Sequence, residues 1–526
     1  DYKSTAYLKL AQIACRKKQF AAALDFAKES LYAGYKNYKA RNIITIIHRT
    51  NGDAEKARAR ARETLDFDPM DFAAHYELAR LGQGSVDDFW RLLRNNAHNF
   101  IALARDYGEL GFYGDSAAII KKYLENGKPA YAMACYYLAF WLEKNGDPAA
   151  AEAWKNAAEA DGTWCFPNSL EDLAVLNRAA RNNESDWRAR YYLGCLLYDK
   201  KRYADAAGAW EKSAALNPNF PTTRRNLGLY YANKQKDFNR ARAEFEKAFE
   251  LDPGDARLFY ELCELYKRIG LPLKSQLELY EKHRDLVMKR DDLCVSYAEI
   301  LNALGRYETA LELLLTRKFH PWEGGEGKVP AQHIEARIGI ARKLMAEGKN
   351  RDAAAELEKA AIYYENFGEG KLPGAQENHI YYHLGLALRE IDPRRSAECF
   401  EKASTGISEP AGAMYYNDQP PHLIYYQGLA LRALGREDEA RSRFNKLIAY
   451  GEKHLFKKQT MDYFAVSLPD FLVFEVDLDE KNRVHCYYMM ALGHLGLGDD
   501  KKAGLCFDKL FELSPNHFGA LSHRKR

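Results

Sequence analysis

The sequence predicts an all-α fold: a right-handed superhelical solenoid of helix hairpins, with long loops between the hairpins of the C-terminal half. One observation is length, because 526 residues exceed what a single compact core usually holds. A second is the tandem pattern in Trp187–Pro253, which repeats with a period of about 34 residues. A third is the proline that ends each copy, because proline stops the second helix of a hairpin.

The two copies place small and bulky residues at matching positions. They are Leu193-Gly194, Leu197, Tyr203, Ala206, Trp210 and Pro218 in the first, and Leu227-Gly228, Tyr231, Phe238, Ala241, Phe245, Ala248 and Pro253 in the second. The small residues let two helices approach, and the bulky ones fill the space between hairpins. This spacing resembles a tetratricopeptide repeat (TPR), and the resemblance implies stacked hairpins with a long concave surface.

The quality of the pattern divides the chain into four regions. Residues 1–160 are predicted to form degenerate TPR-like helical repeats, and 161–186 a linker with a single helix. Residues 187–319 are predicted to form a regular TPR array, and 320–526 TPR-like hairpins with four long edge loops. Many first helices carry a tyrosine pair, and one ring of each pair is expected in the core and the other in the groove.

Four long links distinguish the last region. They are Lys318–Gln332, Tyr364–Asn378, Ser404–Pro421 and Gly451–Asn482. Each joins the second helix of one hairpin to the first helix of the next, so all four should emerge at the same edge. Long loops in a compact array are more often functional than idle. In the fourth, Phe471, Val473 and Phe474 suggest a short strand or a tucked apolar segment.

The edge loops combine carboxylates, amides, aromatic rings and flexible backbone. The candidate ligand-binding residues are His320, Trp322, Glu323, Glu326, Lys328, Glu369, Lys371, Gln376, Glu377, Asn378, Tyr416, Asn417, Asp418, Gln419 and Asp470. Aromatic rings stack on the apolar faces of sugars while carboxylates and amides bind hydroxyls, and paired carboxylates could serve acid–base chemistry at a glycosidic bond. The alternative is that these loops cap helix ends and pack the edge of the solenoid.

A second resemblance covers the chain from about residue 165 to its end. The stretches that carry it are His320–Lys328, Gly368–Asn378, Tyr415–Pro421 and Phe464–Phe474. They are similar to the C-terminal repeat region of a large bacterial family of unknown function, whose longer members have an N-terminal β-rich, sugar-associated region. The resemblance implies a link to carbohydrate metabolism and transfers no catalytic residue. Because the chain begins inside a helix without a Met, we expect it to be part of a longer protein.

Composition and motifs narrow the class of function. The net charge of +3 and the interleaved acidic and basic residues argue against binding of nucleic acid. No apolar run is long enough to span a membrane. Nine cysteines without a C-x-x-C motif indicate free thiols in a reducing, cytoplasmic compartment. No phosphate loop or cofactor motif is present, so no cofactor is predicted. His379 and His383 share a helix face but have no evident third ligand, so no metal site is predicted.

The sequence therefore predicts an interaction scaffold with a ligand site at the C-terminal edge loops. Its partner would be another protein or an N-terminal domain of the same protein. The alternative is a carbohydrate-binding or glycoside-hydrolysing region that uses the loop carboxylates. The pattern leaves open whether the chain is an enzyme.

Overall fold

A computed structural model describes residues 2–125, 130–162, 164–322, 324–412, 419–460 and 473–524. Within these ranges the chain forms 29 α-helices, one π-helical turn and one 3-10 turn, and contains no strand. The helices pair in chain order, which confirms the predicted all-α array of helix hairpins. The chain divides into two compact units, residues 1–223 and residues 224–526.

In its described residues, the first unit contains six hairpins and one single helix. In chain order they are α1 (Tyr2–Arg16) with α2 (Phe20–Ala33), α3 (Tyr38–Thr50) with α4 (Ala54–Phe67), α5 (Phe72–Arg80) with α6 (Val86–Leu92), α7 (Ala97–Glu109) with α8 (Tyr113–Leu124), α9 (Ala132–Lys144) with α10 (Ala150–Glu159), the single α11 (Leu170–Asn182), and α12 (Trp187–Asp199) with α13 (Tyr203–Leu216).

The second unit has the same arrangement, and its first helix begins at Pro221, three residues before the boundary. Its helices are α14 (Pro221–Tyr230, extended by the π-turn Tyr231–Gln235) with α15 (Phe238–Leu251), α16 (Ala256–Arg268) with α17 (Leu273–Lys282) and the short α18 (Arg284–Val287), α19 (Asp291–Ala303) with α20 (Tyr307–Thr316), α21 (Lys328–Ala346) with α22 (Asn350–Ala360), the 3-10 turn Glu365–Phe367, α23 (Asn378–Leu388) with α24 (Pro393–Ser404), α25 (Pro421–Ala433) with α26 (Glu437–His454), α27 (Leu478–Leu497) with α28 (Asp500–Leu513), and α29 (Phe518–Arg524).

Aspartates begin several first helices. The side chain of Asp71 accepts the N–H of Ala74 at 2.7 Å, and Asp186 caps α12 in the same way through the N–H of Ala189 at 2.8 Å. Asp255 caps α16, two residues after the proline that closes the preceding hairpin. Each carboxylate satisfies an N–H group that has no partner within the helix, and its charge suits the positive end of the helix dipole.

Glycines of the first helices lie beneath aromatic rings of the second helices. A Cβ on Gly228 would lie 2.6 Å from the ring of Phe245, and one on Gly385 would lie 2.6 Å from the ring of Phe400. Gly194 has the same relation to Trp210, as the repeat pattern predicted. The absence of a side chain lets each ring pack directly on the neighbouring backbone, which sets the short distance between the helices of a hairpin.

Residues before and after α27 contact the first hairpins of the second unit. Asn233, in the π-turn, donates to the carbonyl of Val473 (3.1 Å) and accepts the N–H of Glu475 (2.8 Å). The buried Phe474 ring packs on Phe245 with centroids 5.7 Å apart. The described end of the fourth link is therefore the tucked apolar segment that the sequence allowed; Phe471 lies outside the described residues.

The first long link is shorter than the sequence suggested. Helix α21 begins at Lys328 rather than after Gln332, so Lys328 is a helix residue and not a loop residue. Gly327 has φ 72°, a backbone conformation that glycine adopts without strain, and it ends the loop. Pro330 fits the first turn of α21 because no N–H is required there.

Candidate functional site

The first two edge loops of the second unit are joined by hydrogen bonds. The N–H of Phe319 donates to the carbonyl of Asn366 at 2.7 Å. The Asn366 amide in turn donates to the carbonyls of Leu314 (2.8 Å) and Arg317 (2.7 Å), at the end of α20. These bonds satisfy carbonyls that the end of a helix leaves unpaired, and they hold the two loops side by side.

Between these two loops lies a cavity of about 280 Å³, which we call the edge cavity. It is lined by His320, Pro321, Trp322, Gly325, Glu326, Phe367 and Glu369. Four of these residues were candidates from the sequence, and they come from both loops. The Trp322 ring lies against Gly325, where a side chain would clash with it, so the glycine allows the ring to form one wall. The buried Phe367 lies at the base of the second loop.

Glu369 is the carboxyl group with a perturbed environment in the edge cavity. Burial raises its pKa, and nearby Glu326 raises it further, while the hydrogen bond that one carboxylate oxygen accepts from the Gly327 N–H (2.8 Å) acts in the opposite direction. The net result is a pKa above the usual value for glutamate. A carboxyl group of raised pKa next to a second, exposed carboxyl is an arrangement suited to acid–base chemistry.

His320 is held at the rim of the edge cavity by Asp291, the first residue of α19. The N–H of His320 donates to Asp291 Oδ2 at 3.0 Å, and its Nδ1 lies 3.2 Å from the same oxygen. Burial alone would raise the pKa of Asp291, but the His320 N–H and the Arg317 guanidinium (2.6 Å) lower it overall. Asp291 therefore stays ionised and fixes the imidazole, a role that the sequence analysis did not identify.

The other described candidates lie outside the edge cavity. Lys371 forms an ion pair with Glu377 at 2.5 Å. Gln376 and Gln419 donate to each other's side-chain carbonyls at 2.9 and 3.3 Å, and the buried Asn378 donates to the backbone carbonyls of Ala403 and Thr405 at the end of α24. The geometry of these amides matches the alternative in which the loops cap helix ends. Lys328 is exposed at the start of α21.

Five candidates lie outside the residues that the structure describes: Glu323, Tyr416, Asn417, Asp418 and Asp470. Their approach to the edge cavity stays a prediction. The histidine pair considered as a metal site is described: His379 and His383 are on α23, and Nδ1 of His383 lies 2.7 Å from the carbonyl oxygen of His379. That ring nitrogen is thus occupied by the backbone of the preceding turn.

The second unit also contains a larger cavity, of about 620 Å³, which the sequence analysis did not identify. Helices α19, α21 and α29 form most of its wall, and α23, α25 and α27 contribute side chains. Tyr426 and Tyr488, the second members of two tyrosine pairs, lie on it. The tyrosine pairs were the sequence signal for such a surface, but its bounds depend on α29, which no repeat pattern places. We call it the groove cavity.

Comparison with known families identifies the repeat. Residues 101–163 and 173–222, all in the first unit, match the tetratricopeptide repeat family. The match, together with the hairpin architecture, supports a TPR-type repeat, and such repeats indicate a protein-interaction scaffold. Within the described ranges, no helix has the length and apolarity that crossing a membrane requires.

Several solved structures share similarity with the chain at low identity. Yeast Tom70 is 12% identical over 100% of this chain and 95% of its own, with a TM-score of 0.29. MamA from Desulfovibrio magneticus RS-1 is 18% identical over 37% and 97%, with a TM-score of 0.23. YrrB, described as a TPR protein with an unusual peptide-binding site, is 17% identical over 44% and 96%, with a TM-score of 0.18. Matches at these scores carry no argument about function.

Proposed function

We propose that this chain is a repeat scaffold for protein partners that also binds a small polyhydroxylated ligand, such as a saccharide, in the edge cavity. The observation that carries the ligand site is the combination of an aromatic wall, Trp322, with two carboxyl groups, Glu326 and Glu369, around one cavity. An aromatic face and hydroxyl-binding carboxylates are the two groups that a sugar ring needs. The protein partner would be a separate chain or an N-terminal domain of the same protein.

The size of the cavity limits the ligand. About 280 Å³ lies just below the roughly 300–1,000 Å³ of sites for drug-sized molecules. The edge cavity therefore suits one sugar ring or the end of an oligosaccharide rather than the middle of a long chain. His320, fixed by Asp291 at the rim, adds an imidazole that can bind a hydroxyl group.

A thermal-shift screen of monosaccharides and short oligosaccharides on the full chain tests the ligand site. A sugar at about a hundred times its Kd should stabilise the unit that binds it by about 2.7 kcal/mol. Glu369→Gln and Trp322→Ala should abolish that shift. Glu365→Gln should retain it, because Glu365 is exposed in the same loop and does not line the cavity. A shift that survives both cavity variants, or no shift with any sugar, would refute the proposal.

A second candidate function is glycoside hydrolysis, which the environment of Glu369 favours. Its raised pKa suits a general acid, and exposed Glu326 would be the partner carboxylate. A panel of methyl glycosides and short oligosaccharides tests this: hydrolysis should fall at least about 100-fold in Glu369→Gln, because the leaving alcohol of these substrates must be protonated. Sugar binding without turnover of any glycoside would restrict the site to recognition.

We also propose a reducing compartment, the cytoplasm, for this chain. All nine cysteines lie within the described residues, and all are free thiols, six of them buried. Burial raises the pKa of the Cys263 thiol, and burial raises that of Cys486 to about 11, which keeps such groups protonated and unreactive. Alkylation of the denatured protein from its native host, with and without prior reduction, should label the same number of thiols. Labelling that requires a reductant would contradict the proposal.

A further inference from the structure

The groove cavity of the second unit has firmly held walls. At its C-terminal side, the Asn516 amide donates to the carbonyls of Lys267 (3.3 Å) and Leu271 (3.2 Å), which fixes the start of α29. At the other end of α29, Ser522 donates to Glu335 of α21 at 2.9 Å. These bonds tie α29 to α16 and α21, so the wall that α29 forms is held in place.

The walls of the groove cavity are mostly apolar or aromatic. Ile334 and Ile338 come from α21, Phe518 from α29, and the rings of Tyr426 and Tyr488 from α25 and α27. A volume of about 620 Å³ with such walls falls within the range of small-molecule sites, which use a few polar groups to orient an otherwise apolar ligand.

Asn302 supplies one of these polar groups. Its side chain is 5% exposed and lines the cavity at the end of α19. The Nδ2 group donates to the backbone and side-chain carbonyls of Gln332, both at 3.0 Å. Its Oδ1 atom is buried and, within the described part of the chain, accepts no hydrogen bond. A buried acceptor without a donor is costly, so this atom marks a position where a ligand N–H or O–H would stabilise the protein.

Arg342 supplies the charge. It lines the cavity from α21, and among the described residues no carboxylate lies within 4 Å of it. The neighbouring cation is neutralised, because Lys343 pairs with Glu308 at 3.2 Å. Two carboxylates also line the cavity: Glu299, which pairs with Lys267 at 3.2 Å, and Glu335, which lies seven residues before Arg342 and therefore about 10 Å away along the helix axis. The guanidinium is left to bind an anion, and its planar donor fork matches a carboxylate.

We propose that the groove cavity binds a small organic acid with an apolar body, held by Arg342 through its carboxylate and by Asn302 through an N–H or O–H group. This site is separate from the edge cavity and takes a different class of ligand. A volume of about 620 Å³ favours a small molecule over an extended peptide.

Isothermal titration of the full chain with 3-phenylpropionate, isovalerate and N-acetylphenylalanine tests the site, with the corresponding primary amides as uncharged controls. At least one acid should bind at least about tenfold more tightly than its amide. Arg342→Gln should weaken that acid by about tenfold or more and leave the amide unchanged. Asn302→Ala should weaken N-acetylphenylalanine, which carries an N–H donor, more than isovalerate, which carries none.

The matched control is Arg351→Gln, because Arg351 is an exposed arginine of α22 that does not line the cavity. It should bind every acid as the unaltered chain does. Melting curves should confirm that Arg342→Gln is folded, as expected for a partly exposed side chain that bonds to none of the described residues. Equal affinity for acid and amide, no effect of Arg342→Gln, or no binding of any acid in the millimolar range would each overturn the proposal. So would peptides of six or more residues binding more tightly than every small acid.

Discussion

Asn233→Ala should loosen the contact between the first and last hairpins of the second unit. In most repeat arrays each unit contacts only its neighbours, so a local change stays local. Here the Asn233 side chain makes two hydrogen bonds to the backbone of residues 473–475, about 240 positions later in the chain. Since Asn233 is 8% exposed, alanine would leave both of its backbone partners without a replacement from the protein.

The magnitude follows from the two bonds. A typical intramolecular hydrogen bond contributes about 1 kcal/mol, so the variant should destabilise this contact by about 2 kcal/mol. That difference corresponds to about 30-fold faster hydrogen exchange for amides that exchange when the contact opens. The packing of Phe474 on Phe245 remains, which limits the effect to this size.

Hydrogen exchange of the full chain measures the effect by region. Faster exchange is expected in α14 and α15 as well as in residues 473–475. Asn239→Ala is the control, because Asn239 is exposed on the same hairpin. If Asn233→Ala exchanges like Asn239→Ala, or if only residues 473–475 change, the ends of the second unit are not coupled by this contact.

Three further predictions concern packing and pH. Gly428→Ala places a methyl group against the Phe444 ring and should destabilise the second unit by about 1–3 kcal/mol in urea denaturation, whereas Gly504→Ala, with open space around it, should stabilise it by about 0.5–1 kcal/mol. Burial lowers the pKa of His333 to about 4, and its Nε2 accepts a hydrogen bond from Arg337 (3.2 Å). Because the imidazole binds a proton more readily in the unfolded chain, the free energy of unfolding should fall as pH drops from 6.5 towards 4. His333→Gln should reduce this dependence on pH. The effect of Glu369 on stability has the opposite dependence on pH, because its pKa is raised in the folded protein. Its contribution to the free energy of unfolding is present below pH 4.5 and is lost as pH rises through the folded pKa. Glu369→Gln should remove that loss.

Control variants separate these packing and pH effects from changes that any substitution could cause. His98→Gln, at an exposed histidine of the first unit, should leave the pH slope of the second unit unchanged. For Glu369→Gln the matched change is Glu365→Gln, at an exposed position of the same loop. If the two glycine variants shift the urea midpoint in the same direction, the close approach of Gly428 to Phe444 does not determine the helix distance.

Local pattern was enough to predict the hairpins. The pairs Gly194 with Trp210 and Gly228 with Phe245 lie where the period placed them, because a repeat encodes its packing within some 34 residues. Edge loops were predicted to emerge at one edge, and the first two meet there through Phe319 and Asn366. Period and loop position therefore located His320, Trp322, Glu326 and Glu369 near one another.

The repeat pattern could not predict contacts between distant parts of the chain. The groove cavity depends on α29, whose Ser522 meets Glu335 of a hairpin 187 residues earlier, and periodicity carries no information about that contact. Residue type alone also suggested a ligand-binding role for two amides that the structure shows bonded to the protein. Gln376 and Asn378 have the chemistry of sugar-binding amides, but their donors are bonded to protein carbonyls within the scaffold. Only the positions of their partners distinguish the two roles.

Hydrogen exchange of the full chain with and without the best sugar from the thermal screen tests the edge-cavity assignment most directly. Bound sugar should slow exchange in residues 319–327 and 365–371, the two loops around the cavity, and Trp322→Ala should remove that protection. Protection confined to the groove helices α19, α21 and α25, or protection that Trp322→Ala leaves unchanged, would contradict the assignment of the ligand site to the edge loops.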